Sequence, residues 1–248
     1  MARFVQDDME TFNIPGAGSF QFSAVRLDPV KAASEYTLVS IVLDISGSVE
    51  DYAVALKQVV QTIIEACKKS PRAENLMVRL LTFNDQLDEI HGFKLLNQID
   101  PADYKDFKPQ GMTALYDAAY SAIGATTTLS KSLIDQEYDC NGAIYIITDG
   151  MNNHSVNTPQ TIKEKVAEAK KQETIESLVT VLVGITPDKQ ISSYLESFKD
   201  EAGLNAYVDL GEATPGKLAK LAQFVSRSIS SQSKSLGTGT SSNQSLVF

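Results

Sequence analysis

The chain is short of positive charge, short of cysteine and short of long apolar runs, and each shortage excludes something. Its 248 residues carry 22 Lys and Arg against 31 Asp and Glu, a formal net charge of -9. Nonspecific nucleic-acid binding neutralises phosphates with Lys and Arg, so this balance argues against it. No Lys/Arg cluster suits an anionic membrane surface either. The same balance is compatible with hard cations or with basic partner surfaces. Two cysteines, Cys67 and Cys140, give neither a disulfide framework nor a zinc site. No apolar run is long enough to span a bilayer. The N-terminal "MARFVQDDMETF" places Asp7, Asp8 and Glu10 where a signal peptide needs an apolar core. A cytoplasmic protein without membrane contact is the expectation.

What the sequence does contain is an alternation of strand and helix patterns. "TLVSIVLD" (37–44), "LMVRLLTFN" (76–84), "GAIYIITD" (142–149) and "IESLVTVLVGI" (175–185) read as strands buried on both faces. Between them, apolar residues recur at helical spacing, as at Leu56, Val59, Val60, Ile63, Ile64 and Cys67. "QLDEIHGFKLL" (86–96) reads as a return strand after a polar turn at Asn84-Asp85. Further helices are expected over "TALYDAAYSAIGATTTL", over "NTPQTIKEKVAEAKK", near 188–202 and from about Pro215 to Ser230, with a short strand at 205–210. This order predicts an α/β fold: a doubly wound, mostly parallel sheet with helices on both faces and one short antiparallel edge strand. Residues 1–36 form an extension in which "SFQFSAVRL" supplies an added strand; 37–230 are the main domain; 231–248, rich in Ser, Gly and Thr, are expected to be a disordered tail.

Two core strands end alike, "IVLD-ISGS" at Asp44 and "YIIT-DGMN" at Asp149. Open α/β sheets bind ligands beyond the carboxyl ends of their strands, where the strand order reverses. If these two strands are neighbours there, both carboxylates face one crevice, and Thr113, in the loop entering the next helix, shares its rim. Asp44, Ser46, Ser48, Thr113 and Asp149 make an all-oxygen set, as hard cations such as Mg2+ require. With only two negative charges in the set, the metal stays electrophilic and open to one more anionic ligand. Asp117, one turn past Thr113, is assigned to loop backbone instead of metal. His91 has no second His or Cys nearby. Around the site, loops 49–52, 108–114 and 150–157 form the rim, with Met112, Met151, Asn152, Asn153 and His154 as candidate partner contacts.

At these residues the sequence resembles a von Willebrand factor A domain. The matching segments are "DISGS" (44–48), "GMTALYDA" (111–118) and "IITDGMN" (146–152), in that order, within residues 37–230. The metal-ion-dependent adhesion site of that family is an Asp-x-Ser-x-Ser stretch, a loop Thr and an Asp at the end of a later strand. The resemblance carries these onto Asp44, Ser46, Ser48, Thr113 and Asp149. It implies a Mg2+ or Mn2+ ion completed by an acidic residue of a protein partner, hence an adaptor of the stand-alone bacterial type and not an enzyme.

An alternative is a metal-dependent hydrolase or phosphoryl-transfer enzyme on a similar sheet. Dehalogenase-type phosphatases also place an Asp after the first core strand, but most use a second Asp two residues later, where this chain has Ser46. No basic residue is placed to clamp a phosphate beside Asp44. "GAG" at 16–18 does not follow a core strand, no Gly-rich loop ends in Gly-Lys-Ser/Thr, and neither histidine has the context of a serine hydrolase. No catalytic or nucleotide-binding residue is therefore expected.

Overall fold

The alternating pattern folds, in a computed structural model that describes residues 9–16, 18–23, 35–171 and 174–236, into eight strands and five α-helices. In chain order these are β1 (Met9–Ile14), β2 (Gly18–Ser23), β3 (Glu35–Asp44), α1 (Ala53–Lys68), β4 (Leu76–Phe83), β5 (Leu87–Leu95) and α2 (Leu115–Ile134). Then come β6 (Asp139–Thr148), α3 (Pro159–Lys171), β7 (Ser177–Gly184), α4 (Lys189–Ala202), β8 (Ala206–Asp209) and α5 (Pro215–Leu236). The sheet order is β1-β2-β5-β4-β3-β6-β7-β8. Strands β4, β3, β6, β7 and β8 run parallel to one another.

Helices cover both faces. Every residue of β3 and β4 is buried, as strands sandwiched between helices require. Odd-numbered residues of β3, such as Val39, Ile41 and Leu43, pack with α1 and α5. Val42 points the other way, toward a cluster built with α2, α3 and α4. A third cluster joins Leu38 and Met77 to Phe20 of β2 and Phe93 of β5. Among the described residues no helix is long and apolar enough to cross a membrane.

The antiparallel edge is larger than one short strand. β5 turns back along β4, and a hairpin of β1 and β2 extends the sheet beyond it. Glu89 ties this edge together: Oε1 accepts from the buried Arg79 Nε at 2.7 Å, and Oε2 accepts the Gln21 N–H at 2.9 Å. Gly92 lets the hairpin approach, because a Cβ there would sit 1.9 Å from the Gln21 carbonyl oxygen. Residues 24–27 of the expected strand lie outside the described residues.

Helix α5 continues to Leu236, so residues 231–236 of the expected disordered tail are helical. The reason is periodicity. Buried positions at Leu218, Leu221, Ala222, Val225 and Ile229 continue to Ser233, one turn on. Serine keeps the stripe buried without supplying the apolar signal that marks it in sequence. Residues 237–248 lie outside the described residues.

His91 is a core residue. Its Nδ1 lies 2.9 Å from the Gly92 carbonyl, which can only accept, so Nδ1 carries the hydrogen and Nε2 accepts from the Tyr104 hydroxyl at 2.9 Å. Burial lowers its pKa to about 4. The folded state therefore resists a proton that the unfolded chain takes up below about pH 6.5, and stability falls as pH drops from that value toward 4. Asp44, described below, titrates in the same range with the opposite sign, so the comparison with a His91→Gln variant isolates the histidine. In urea unfolding, wild type should lose about 3 kcal/mol relative to the variant between pH 7 and pH 4. A difference independent of pH would show that His91 is not held neutral.

Candidate metal site

β3 and β6 lie side by side with Leu43 opposite Ile147, so their carboxyl ends emerge together. The strand order reverses here, since the chain crosses from β3 to β4 on one side and enters β6 on the other. Asp44 ends β3 with no solvent exposure. Its Oδ1 accepts the Ser46 N–H at 2.8 Å and its Oδ2 accepts the Thr148 hydroxyl at 2.5 Å. Ser46 Oγ lies 3.2 Å from Ser48 Oγ, and the Ser48 hydroxyl donates to Asp149 Oδ1 at 2.8 Å. A continuous hydrogen-bonded chain thus runs Asp44–Ser46–Ser48–Asp149. Ser48 is exposed, so the chain opens to solvent at that point. Beyond it the backbone first forms a 3-10 helix, Gly47–Tyr52, before α1 begins.

Thr113 joins from a third loop. A Cβ placed on Gly150 would lie 3.7 Å from Thr113 Oγ1 and 3.9 Å from Ser48 Oγ, so both hydroxyls face the same backbone. The loop is docked by main-chain bonds: Gly47 N–H to the Gly111 carbonyl at 3.3 Å, and Gln110 N–H to the Ile45 carbonyl at 2.9 Å. Asn84 belongs both to the β4–β5 turn and to the rim, for its carbonyl accepts the Ala114 N–H at 2.7 Å. Gly111 has φ +78°, and a Cβ there would meet Asp85 Oδ1 at 2.1 Å, so glycine is required twice over.

The start of α2 is capped by another segment. Ala114 has no side chain for the task. Instead the Thr113 N–H donates to Asn153 Oδ1 at 2.7 Å, and the Tyr116 and Asp117 N–H groups donate to Ser155 Oγ at 3.0 and 3.2 Å. Asp117 returns the contact, accepting the Val156 and Asn157 N–H groups at 3.0 and 2.8 Å. Tyr194 of α4 accepts the Asn152 N–H at 3.3 Å and touches the Tyr116 hydroxyl. The loops carrying Thr113 and Asp149 are thereby zipped together.

Of the expected rim contacts, Met112, Met151, Asn153 and His154 are exposed and Asn152 is half-buried. The side-chain carbonyls of Asn152 and Asn153 also accept from amide groups of the α2 entrance. Thr148 and Ser155 were not anticipated. The signal for Thr148 is the β3–β6 register, which puts the residue after Ile147 beside Asp44.

Burial raises the Asp44 pKa to about 6, against the pull of the Thr148 and Ser46 hydrogen bonds, with Asp149 adding repulsion. Burial also raises the Asp149 carboxyl. Among the described residues no Lys or Arg pairs with either. Two carboxylates, three hydroxyls and no cationic side chain form a donor set that fits a hard divalent cation. Among the described residues no three His, Cys, Asp or Glu side chains gather to hold a metal, so the set here is two carboxylates completed by neutral hydroxyls.

No family model and no curated protein matches this sequence. Solved structures do. A point mutant of the PilB minor pilin from Streptococcus sanguinis superposes with a TM-score of 0.60 at 16% identity, covering 87% of this chain and 66% of the pilin. Proximal thread matrix protein 1 from the mussel byssus gives 0.54 at 18% identity, with 80% and 46% covered. A structure of that protein with a zinc-occupied metal-ion-dependent adhesion site gives 0.54 at 16% identity, with 79% and 46% covered. This chain spans just under two thirds of the pilin and less than half of the mussel protein. At such identities the likeness establishes the architecture, which is a von Willebrand factor A-like α/β fold.

Proposed function

We propose that this chain is a protein-interaction module in which Asp44, Ser46, Ser48, Thr113 and Asp149 hold a divalent cation, Mg2+ or Mn2+, that bridges to an acidic residue of a partner. The observation that carries this reading is the pair of buried carboxylates, linked through Ser46 and Ser48 and, among the described residues, paired with no cationic side chain. The mussel protein's zinc-occupied site on a similar fold is consistent with it. When bound, the cation supplies the missing positive charge and an electrophilic position open at the crest of the sheet. The chain's own residues do the rest. Thr148 and the Ser46 amide fix Asp44, Ser48 orients Asp149, and Asn153 fixes the backbone that presents Thr113. Among the described residues no Lys or Arg pairs with Asp44 or Asp149 where a phosphate would need a clamp, which favours binding over hydrolysis.

Because apolar burial on both faces of the sheet carries the fold, EDTA should leave the far-UV circular dichroism intact while Mg2+ or Mn2+ raises the melting temperature by linkage. The unpaired charge makes a sharper test. Replacing Asp44 by Asn removes a buried anion, so in EDTA at pH 7.5 the variant should be more stable than wild type, by up to about 3 kcal/mol. It should also lose the metal-dependent rise. A variant less stable than wild type in EDTA would mark Asp44 as a structural carboxylate.

Partner capture from a native lysate should depend on Mg2+. Thr113→Ala removes one neutral oxygen and should weaken that capture without changing the fold seen by circular dichroism. A genuine partner indifferent to EDTA, to Thr113→Ala and to Asp149→Ala would overturn the bridge.

A further inference from the structure

The β1–β2 hairpin stands at the edge of the sheet, yet one side chain joins it to the cation site. Asn157 Nδ2 donates to the Gly16 carbonyl at 2.9 Å and to Asp117 Oδ1 at 2.8 Å. A side-chain amide has two N–H bonds, and both are spent here on groups that can only accept. That also fixes which end of the amide faces them. Gly16 lies in the hairpin turn and Asp117 in the first turn of α2. Thr113 precedes Asp117 at the entrance of the same helix. Its N–H donates to Asn153 Oδ1 at 2.7 Å, and its carbonyl accepts the Asn153 N–H at 3.0 Å. Asn153 lies between Asp149 and Asn157 in one loop. Moving Asn157 therefore moves a loop that carries one of the carboxylates and holds the backbone of Thr113.

The hairpin touches α2 at two more levels. Ile14 lies over Gly124, where a Cβ would sit 2.8 Å from Ile14 Cγ2. The Gln21 N–H donates to Glu89 Oε2 at 2.9 Å, Glu89 Oε1 accepts from Arg79 Nε, and Arg79 Nη2 reaches Ser121 Oγ of α2 at 3.5 Å. The ladder to the rest of the sheet is slight by comparison. Among the described residues β2 is in register with β5 at one pair, Phe22 and Phe93, whereas β1 and β2 pair along their whole length. The hairpin is thus a unit held by a few separate links. Such a unit opens locally at lower cost than a core strand, and each link shifts the balance between seated and lifted.

Resting on the cation site proposed above, we infer that the seated hairpin sets the cation affinity of the site, and that Asn157 is the positioning residue that couples the two. With the hairpin seated, Gly16 and Asp117 fix Asn157, so the loop that holds Asp149 and Thr113 is ordered before the ion arrives. With the hairpin lifted, Asn157 loses one of its two acceptors, and the loop gains freedom that the ion must remove. Such coupling is reciprocal: a seated hairpin favours the ion, and the ion favours a seated hairpin. Whatever holds or lifts the N-terminal hairpin then tunes the site without touching a ligand of the metal.

Hydrogen exchange and Mn2+ titration of the full chain test the two directions. In wild type, saturating Mg2+ should slow amide exchange in β1 and β2 about two- to tenfold relative to EDTA. Asn157→Ala should abolish that slowing and weaken Mn2+ binding by a similar factor, measured by calorimetry well below the melting temperature. Ile14→Ala, which loosens the hairpin and leaves Asn157 in place, should weaken Mn2+ binding in the same direction. Circular dichroism in EDTA checks that each variant is folded. An Asn157 with a structural role alone would lower the melting temperature and leave the Mn2+ affinity of the folded protein unchanged. Unchanged affinity in Asn157→Ala, or wild-type hairpin exchange indifferent to Mg2+, would overturn this inference and leave the cation site standing. A wild type that takes up no Mn2+ through Asp44 and Asp149 would overturn the cation site, and this inference with it.

Discussion

The site depends on two carboxylates that share the crest of the sheet, with no Lys or Arg among the described residues paired to either. Asp44 is fully buried and Asp149 nearly so, and burial works against the ionised form of each. A fold tolerates buried charge when the charge is paired, hydrogen-bonded or answered by a ligand. Here the protein supplies the hydrogen bonds, from Thr148, the Ser46 amide and Ser48. Among the described residues it supplies no counter-charge. A divalent cation, as proposed, would answer both carboxylates at once, and the arrangement that costs stability in the metal-free chain would then favour its binding.

The rest of the architecture serves to hold those groups still. β3 and β6 are buried throughout their last residues, so their register cannot slip without exposing apolar side chains. The two outer loops are fixed reciprocally. The 152–155 segment caps the start of α2, and Asp117 of α2 caps 156 and 157. Asn157 then reaches the Gly16 carbonyl at 2.9 Å, which ties the rim to the turn of the β1–β2 hairpin. A cation entering such a frame pays little for ordering its ligands, because hydrogen bonds already in place order them.

Much of this was legible in the sequence because the signals were local. The apolar runs of β3, β4, β6 and β7 needed only composition and length to be read as buried strands. Asp44, Ser46 and Ser48 announced themselves by spacing, and Asp117 by its place one turn into a helix. What stayed hidden required knowledge of which segments meet. β1 carries no long apolar or strictly alternating run, and its pairing with β2 defines it as a strand. Thr148 looks like an ordinary strand residue until the parallel register sets it beside Asp44. The capping role of Asn152 and Asn153 is hidden because the amides they cap lie about 40 positions away, as the 2.7 Å bond from Thr113 to Asn153 shows. The end of α5 was missed because serine carries its buried stripe where an apolar residue would have marked it.

On the proposed reading, Asp44 and Asp149 hold one cation together. Electron paramagnetic resonance of Mn2+ tests it most directly, since the sharp signal of the free ion disappears on binding. Wild type should remove a single equivalent from the free signal, in competition with Mg2+, and the Asp44→Ala/Asp149→Ala double variant should remove none. Equal uptake by the two proteins would contradict the account, because the bound ion would then lie elsewhere on an acidic surface.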